Sequence, residues 1–153
     1  MNCADRALAC FHEGYNCAQS VFAAAASELG LPRPLALRLS SGFGAGLGRM
    51  RGTCGAFAGL AMIAGYAQGN ETPDPRDKER IFALVRELAA EFTREFGSLT
   101  CRELLRLDPD LVEGPRPGER TAAYYEGRPC EACIAFCAAR AEQLLRKKDA
   151  NAL

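Results

Sequence analysis

Apolar residues recur at helical spacing in the middle of the chain, where Ile81, Leu84, Val85, Leu88, Phe92 and Phe96 fall on one face. Asp74 precedes them as a cap, Pro75 suits the first helical position and Gly97 is a stop, so a helix is predicted from Pro75 up to Gly97. The rest of the pattern is also helical. A short helix is predicted over about residues 3–13, broken at Gly14-Tyr15, and a second over about 17–29. After a turn at Gly30, Pro32 and Pro34, a short helix covers about 35–40. The glycine-rich segment 41–48 then leads to a helix over about 54–67, rich in Ala and Gly and suited to close packing. A short helix follows Thr100. Residues 108–129, rich in Pro, Gly and charge, read as a long loop, and a last helix covers about 131–148. There is no period-2 pattern of useful length, no internal repeat and no domain linker. The expected fold is all-α: one compact helical bundle over 1–153, with a glycine-rich loop and a long loop before the last helix.

The chain of 153 residues is long enough for a real core. Lysine plus arginine equals aspartate plus glutamate, 19 each, so no basic surface for nucleic acid is expected. The least charged stretch, 54–67, is too short to span a bilayer, and the N-terminus lacks the apolar run of a signal peptide. A cytoplasmic location is therefore expected. Eight cysteines in that compartment point to a metal site, a redox site or buried thiols rather than a permanent disulfide framework.

Three of these cysteines each follow a good helix-capping residue: Asn16-Cys17, Thr53-Cys54 and Thr100-Cys101. Gln19 and Glu103 stand where a capping box needs them. Each sulfur is then expected in a first helical turn, where free N–H groups and the positive dipole end favour thiolate. Arg49 and Arg51 lie just before Cys54 and would favour its thiolate further. The plainer reading of Cys54 is a small residue at a tight helix start.

Cys130-x-x-Cys133-x-x-x-Cys137 would share one helix face, which continues through Ala141 and Leu144 toward the core. Cys137 is expected to be structural, and Cys3 and Cys10 to be packing residues. The spacing matches only the tail of the bacterial ferredoxin pattern, and zinc-finger spacing is absent. The glycines at 42, 44, 46 and 48 do not fit either nucleotide-binding fingerprint. His12, the lone histidine, sits among charged residues and is expected to be solvated. No Cys-x-x-Cys-His occurs for haem attachment.

Gly14-Tyr15-Asn16-Cys17-Ala18-Gln19-Ser20-Val21, the glycine-rich segment 42–48, Cys54-Gly55-Ala56-Phe57-Ala58-Gly59, Cys101 and Cys133 together resemble the C-GCAxxG-C-C family. The resemblance covers nearly the whole chain. It implies redox activity, inferred rather than tied to a characterised reaction. It is similar, too, to a domain joined to haem-binding sequence in certain cytochromes of anaerobes, where four cysteines suit an iron–sulfur cluster. The resemblance thus implies Cys17, Cys54, Cys101 and Cys133 as working sulfurs. They would either ligate a [2Fe–2S] cluster or exchange disulfides with Cys54 as nucleophile, in both cases serving a redox partner protein. Cys130 leaves the fourth position open. A different reading is a non-catalytic zinc-binding or partner module, since similar proteins are often encoded near transporters.

Overall fold

The computed structural model describes residues 1–152. Among these are eight α-helices: α1 Cys3–His12, α2 Cys17–Ala24, α3 Arg33–Ser40, α4 Gly55–Gln68, α5 Pro75–Phe96, α6 Cys101–Leu104, α7 Ala122–Glu126 and α8 Cys130–Ala152. A 3-10 turn at Ser41–Phe43 follows α3. No strand forms among the described residues, and the fold is all-α and compact, as the sequence predicts. No helix among them is long and apolar enough to cross a membrane.

α8 lies along both α1 and α4, and α2 packs against α1, α3 and α4. Leu60, Ile63, Ile134, Ala138 and Ala141 are fully buried in this interior. Close approach of α2 and α4 depends on Gly59, where a Cβ would lie 3.0 Å from Val21 Cβ and 3.2 Å from the Ala18 oxygen. α5 covers one flank through Leu88 and Phe92. Phe92 meets Phe57, Phe96 and Phe136 with ring centroids 5.8, 4.7 and 5.9 Å away. The ion pair between Arg140 and Glu91, 2.8 Å, ties α5 to α8.

α5 begins and ends as the sequence predicts. Asp74 accepts from the Arg76 N–H at 2.8 Å, and Gly97 adopts φ 90°. α2 is shorter than predicted, ending at Ala24. Beyond it the chain tightens, with Ala25 and Ala26 N–H bonding the Phe22 and Ala23 oxygens three residues back. Ala25, Ala26 and Leu29 remain buried, so the apolar spacing persists beyond the end of α2. The long loop contains α7, capped by Thr121. α8 starts one residue earlier than predicted, at Cys130, and extends past Lys148 to Ala152.

The glycine-rich segment forms a left-handed turn. Ala45, Gly46, Leu47, Gly48 and Arg49 have φ of 53, 75, 69, 57 and 61° in succession. Three of the five are not glycine, which costs about 3–6 kcal/mol at ~1–2 kcal/mol each. Backbone bonds from Gly48, Met50, Arg51 and Gly52 to Gly42, Leu47, Ala45 and Gly46 offset it, at about 0.5–1.5 kcal/mol each. Gly46 is obligatory, because a Cβ there would lie 2.5 Å from the Gly52 nitrogen.

Candidate functional site

Cys17 opens α2 behind a complete capping box. Asn16 Oδ1 accepts from the Gln19 N–H at 2.9 Å, and Gln19 Oε1 accepts from the Asn16 N–H at 3.1 Å. The predicted caps for the other two sulfurs differ in detail. Cys54 is itself the cap residue of α4, and Thr53 instead pairs with Thr100 in an antiparallel bridge. Thr100 is the cap residue of α6 but makes no side-chain cap bond. Ser98 Oγ accepts the Thr100 N–H at 2.9 Å and donates to Glu103 at 2.7 Å, which draws Glu103 away from the box.

The bridge is what brings two of the thiols together. Cys54 N–H donates to the Leu99 oxygen at 2.8 Å, Cys101 N–H to the Gly52 oxygen at 2.7 Å and Arg102 N–H to the Arg51 oxygen at 3.2 Å. Segments 51–54 and 99–102 are thereby fastened side by side, and α4 and α6 start from the same place.

Cys17, Cys54, Cys101 and Cys133 line one cavity of about 60 Å³, and Cys130 lines it as well. Cys54, Cys101 and Cys133 are buried, while Cys17 and Cys130 are half-buried. All eight cysteines are free. The outer wall comes from the long loop and its end, through Arg120, Tyr124, Arg128 and Pro129. The Arg120 guanidinium stacks 4.4 Å from the Phe11 ring and 4.8 Å from the Tyr124 ring. It also donates to the backbone oxygens of Phe11, Gly14 and Tyr15, at 3.1, 3.4 and 2.9 Å. Gly55 completes the inner wall, since a Cβ there would lie 2.5 Å from Cys17 Sγ and 2.8 Å from the Phe43 oxygen.

Burial outweighs the helix-start effect on these thiols. It pushes Cys17 up to about 11, helped by Cys54 and Cys101 and opposed by the Ala45 and Ala18 N–H groups. Cys54 lies well above the ordinary thiol value, first because it hydrogen-bonds the Cys133 thiol and second through burial. The Phe57 and Ala56 N–H groups oppose the shift. Burial pushes Cys130 up to about 12, with Cys17 and Cys54 adding to it. Cys101 is raised by burial too, but Arg51 counters it. Arg51 thus meets Cys101 at 3.7 Å rather than serving Cys54, and Arg49 pairs with Glu113 at 2.8 Å.

Cys3, Cys10 and Cys137 lie in the interior, as their helical spacing predicts. His12 is exposed and contacts Glu131. Among the described residues, no three His, Cys, Asp or Glu side chains form a group suited to holding one metal ion.

A helical fold with a cavity walled by five free thiols defines a cysteine-centred protein. Residues 15–144 match the family described as "Putative redox-active protein (C_GCAxxG_C_C)", and the chain belongs to that family. Neither a curated protein nor a solved structure gave a significant match. The glycines of the shared pattern have a physical basis here, because Gly55 leaves room for the Cys17 sulfur and Gly59 lets α2 and α4 meet.

Proposed function

We propose that Cys17, Cys54, Cys101 and Cys133 form the ligand set of a [2Fe–2S] centre that carries electrons to and from a partner protein. One observation carries this reading: four sulfurs from four separate segments line a single cavity, where burial opposes bare thiolates at Cys17, Cys54 and Cys101. A bound cation reverses that preference, because thiols deprotonate on ligation. The donor set fits an anionic, thiolate-bound group. Backbone N–H groups of Ala18 and Ala45 face Cys17, those of Ala56 and Phe57 face Cys54, and the Arg51 guanidinium faces Cys101. A [2Fe–2S] centre needs four thiolates, and four are available in this cavity. When bound, such a cluster supplies a one-electron couple. The chain's own residues hold it, exclude water and offset its negative charge.

The test is elemental analysis of untagged protein purified without oxygen. About two irons per chain are expected, as the cluster's composition requires. Serine at any one of Cys17, Cys54, Cys101 or Cys133 should abolish or strongly weaken iron retention. Full retention in all four single variants would overturn the ligand assignment. Stoichiometric zinc without iron, redox cycling or disulfide reactivity would instead favour a metal-binding or partner module, including one serving a transporter.

The presence of Cys54 and Cys133 in one cavity favours a second reading, thiol–disulfide exchange. Cys54 as thiolate would attack a small disulfide, releasing one thiol, and Cys133 would then attack the mixed disulfide at Cys54 and release the second. The substrate disulfide gains two electrons as the two cysteines become a disulfide. Unchanged reactivity of Cys54→Ser toward a small aromatic disulfide would sink this reading.

A further inference from the structure

Arg51 is the one charged residue buried in the core among those described, with 6% of its surface exposed. Its backbone adopts φ 61°, a conformation that a non-glycine residue takes at a cost. Both features follow from where its guanidinium sits. Nε donates to Glu113 Oε1 at 2.7 Å and Nη2 to Glu113 Oε2 at 3.4 Å, so the carboxylate grips two nitrogens of the fork. Nη1 is left to point at Cys101 Sγ, 3.7 Å away. Glu113 is fixed in turn by Arg49, which pairs with it at 2.8 Å and donates to the neighbouring Gly114 oxygen at 2.7 Å. Arg102 holds the base of the same loop through the Asp108 and Leu111 oxygens, at 2.8 and 2.7 Å.

A surface ion pair has no need of this construction. Pairing with Glu113 does not require burial, since Arg49 meets the same carboxylate with 20% of its side chain exposed. The arrangement instead delivers one oriented N–H donor, with a positive charge behind it, to one sulfur of the cavity.

We infer that Glu113 and Arg51 are positioning residues which set the reduction potential of the centre through the Cys101 sulfur. This rests on the proposed redox role of the four thiols. Hydrogen bonds to ligand sulfur and nearby positive charge favour the more negative, reduced state, and so raise the potential. Glu113 acts at one remove, by holding Arg51 in the orientation that reaches Sγ.

The experiment is a redox titration of iron-loaded wild type, Arg51→Met and Glu113→Gln, with iron content and melting temperature measured alongside. Arg51→Met keeps much of the side-chain volume and removes both charge and donor. At a fixed poise its ratio of reduced to oxidised centre should fall about tenfold, equivalent to about 59 mV for a one-electron couple. Glu113→Gln should shift the same way by less, because the guanidinium stays but loses its grip. A purely structural pair would lower the melting temperature and leave the potential unchanged. Wild-type potential in a folded, fully loaded Glu113→Gln protein overturns the inference, whether or not Arg51→Met folds.

Failure of the wild type itself to hold iron overturns the proposed cluster and this inference with it, whereas an unchanged potential in loaded protein overturns the inference alone.

Discussion

Alanine at Gly55 would set a methyl group 2.5 Å from the Cys17 sulfur and 2.8 Å from the Phe43 carbonyl oxygen. Ordinary carbon contacts begin near 3.5 Å, so one or both neighbours must retreat by roughly 1 Å. The Phe43 oxygen is not free to do so, because it accepts the Leu47 N–H that helps shape the left-handed turn. The Cys17 sulfur therefore takes most of the displacement. Overpacking of this kind costs about 1–3 kcal/mol. Helix propensity works in the opposite direction, favouring alanine over glycine by about 0.5–1 kcal/mol. The balance is a loss of up to about 2.5 kcal/mol, which for a chain of this size lowers the melting temperature by up to roughly 10 °C. Gly65, in the same helix, is the matched control, since a Cβ there meets nothing within 4 Å. Gly65→Ala should raise the melting temperature by about 1–4 °C through propensity alone. Thermal melts of both variants, each paired with an iron assay, read the two effects. Gly55→Ala should also lose iron while Gly65→Ala retains it. If Gly55→Ala melts above wild type in step with Gly65→Ala, the claim that Gly55 makes room for Cys17 is refuted.

Four further outcomes can be checked by denaturation. Asn16→Ala should cost about 1–2 kcal/mol, because it removes the α2 cap and the bond from Asn16 Nδ2 to the Ser41 oxygen. Thr53→Ala should cost less than about 0.5 kcal/mol, because Thr53 is exposed and caps nothing. Arg106 is exposed, lies at φ 55° and makes no side-chain bond among the described residues, so Arg106→Gly should stabilise the chain by up to about 1 kcal/mol, against the usual direction. In chelated protein, stability should be intact below pH 9 and fall as pH rises toward about 11–12. The unfolded thiols ionise near 9, while Cys17 and Cys130 in the fold hold their protons to about 11 and about 12. A urea midpoint that stays flat over that range would contradict the burial of those thiols.

The features legible in the sequence were those encoded by near neighbours. The α5 stripe and its ends, and the Asn16–Gln19 box, depend on residues a few positions apart, and both form as predicted. Thr53 and Thr100 looked like caps for the same local reason. Their pairing across 46 intervening residues carries no local pattern, yet it decides how α4 and α6 begin. The partner of Arg51 was misjudged in the same way: Cys54 is near in sequence, but Cys101 is near in space. The alternating glycines of 42–48 announced an unusual loop, whereas a left-handed path through Ala45, Leu47 and Arg49 is one that side chains normally oppose. Thiol ionisation ran contrary to expectation because helix starts are visible in sequence and desolvation is not. The four sulfurs that the family pattern implied line one cavity, and Cys130 lines it with them.

The outer wall of the cavity and the helix start that carries Cys17 meet in one side chain. Arg120 reaches the carbonyls of Phe11, Gly14 and Tyr15, the last turn of α1 and the step into Asn16-Cys17. Two sections of the long loop therefore have different freedom. Residues 115–119, exposed between Gly114 and Arg120, can be lengthened or cut with little effect on the sulfurs. A shift at Arg120 is transmitted directly to Cys17. The loop thus has a length-tolerant stretch between two fixed points, Glu113 on Arg51 and Arg120 on the Tyr15 carbonyl.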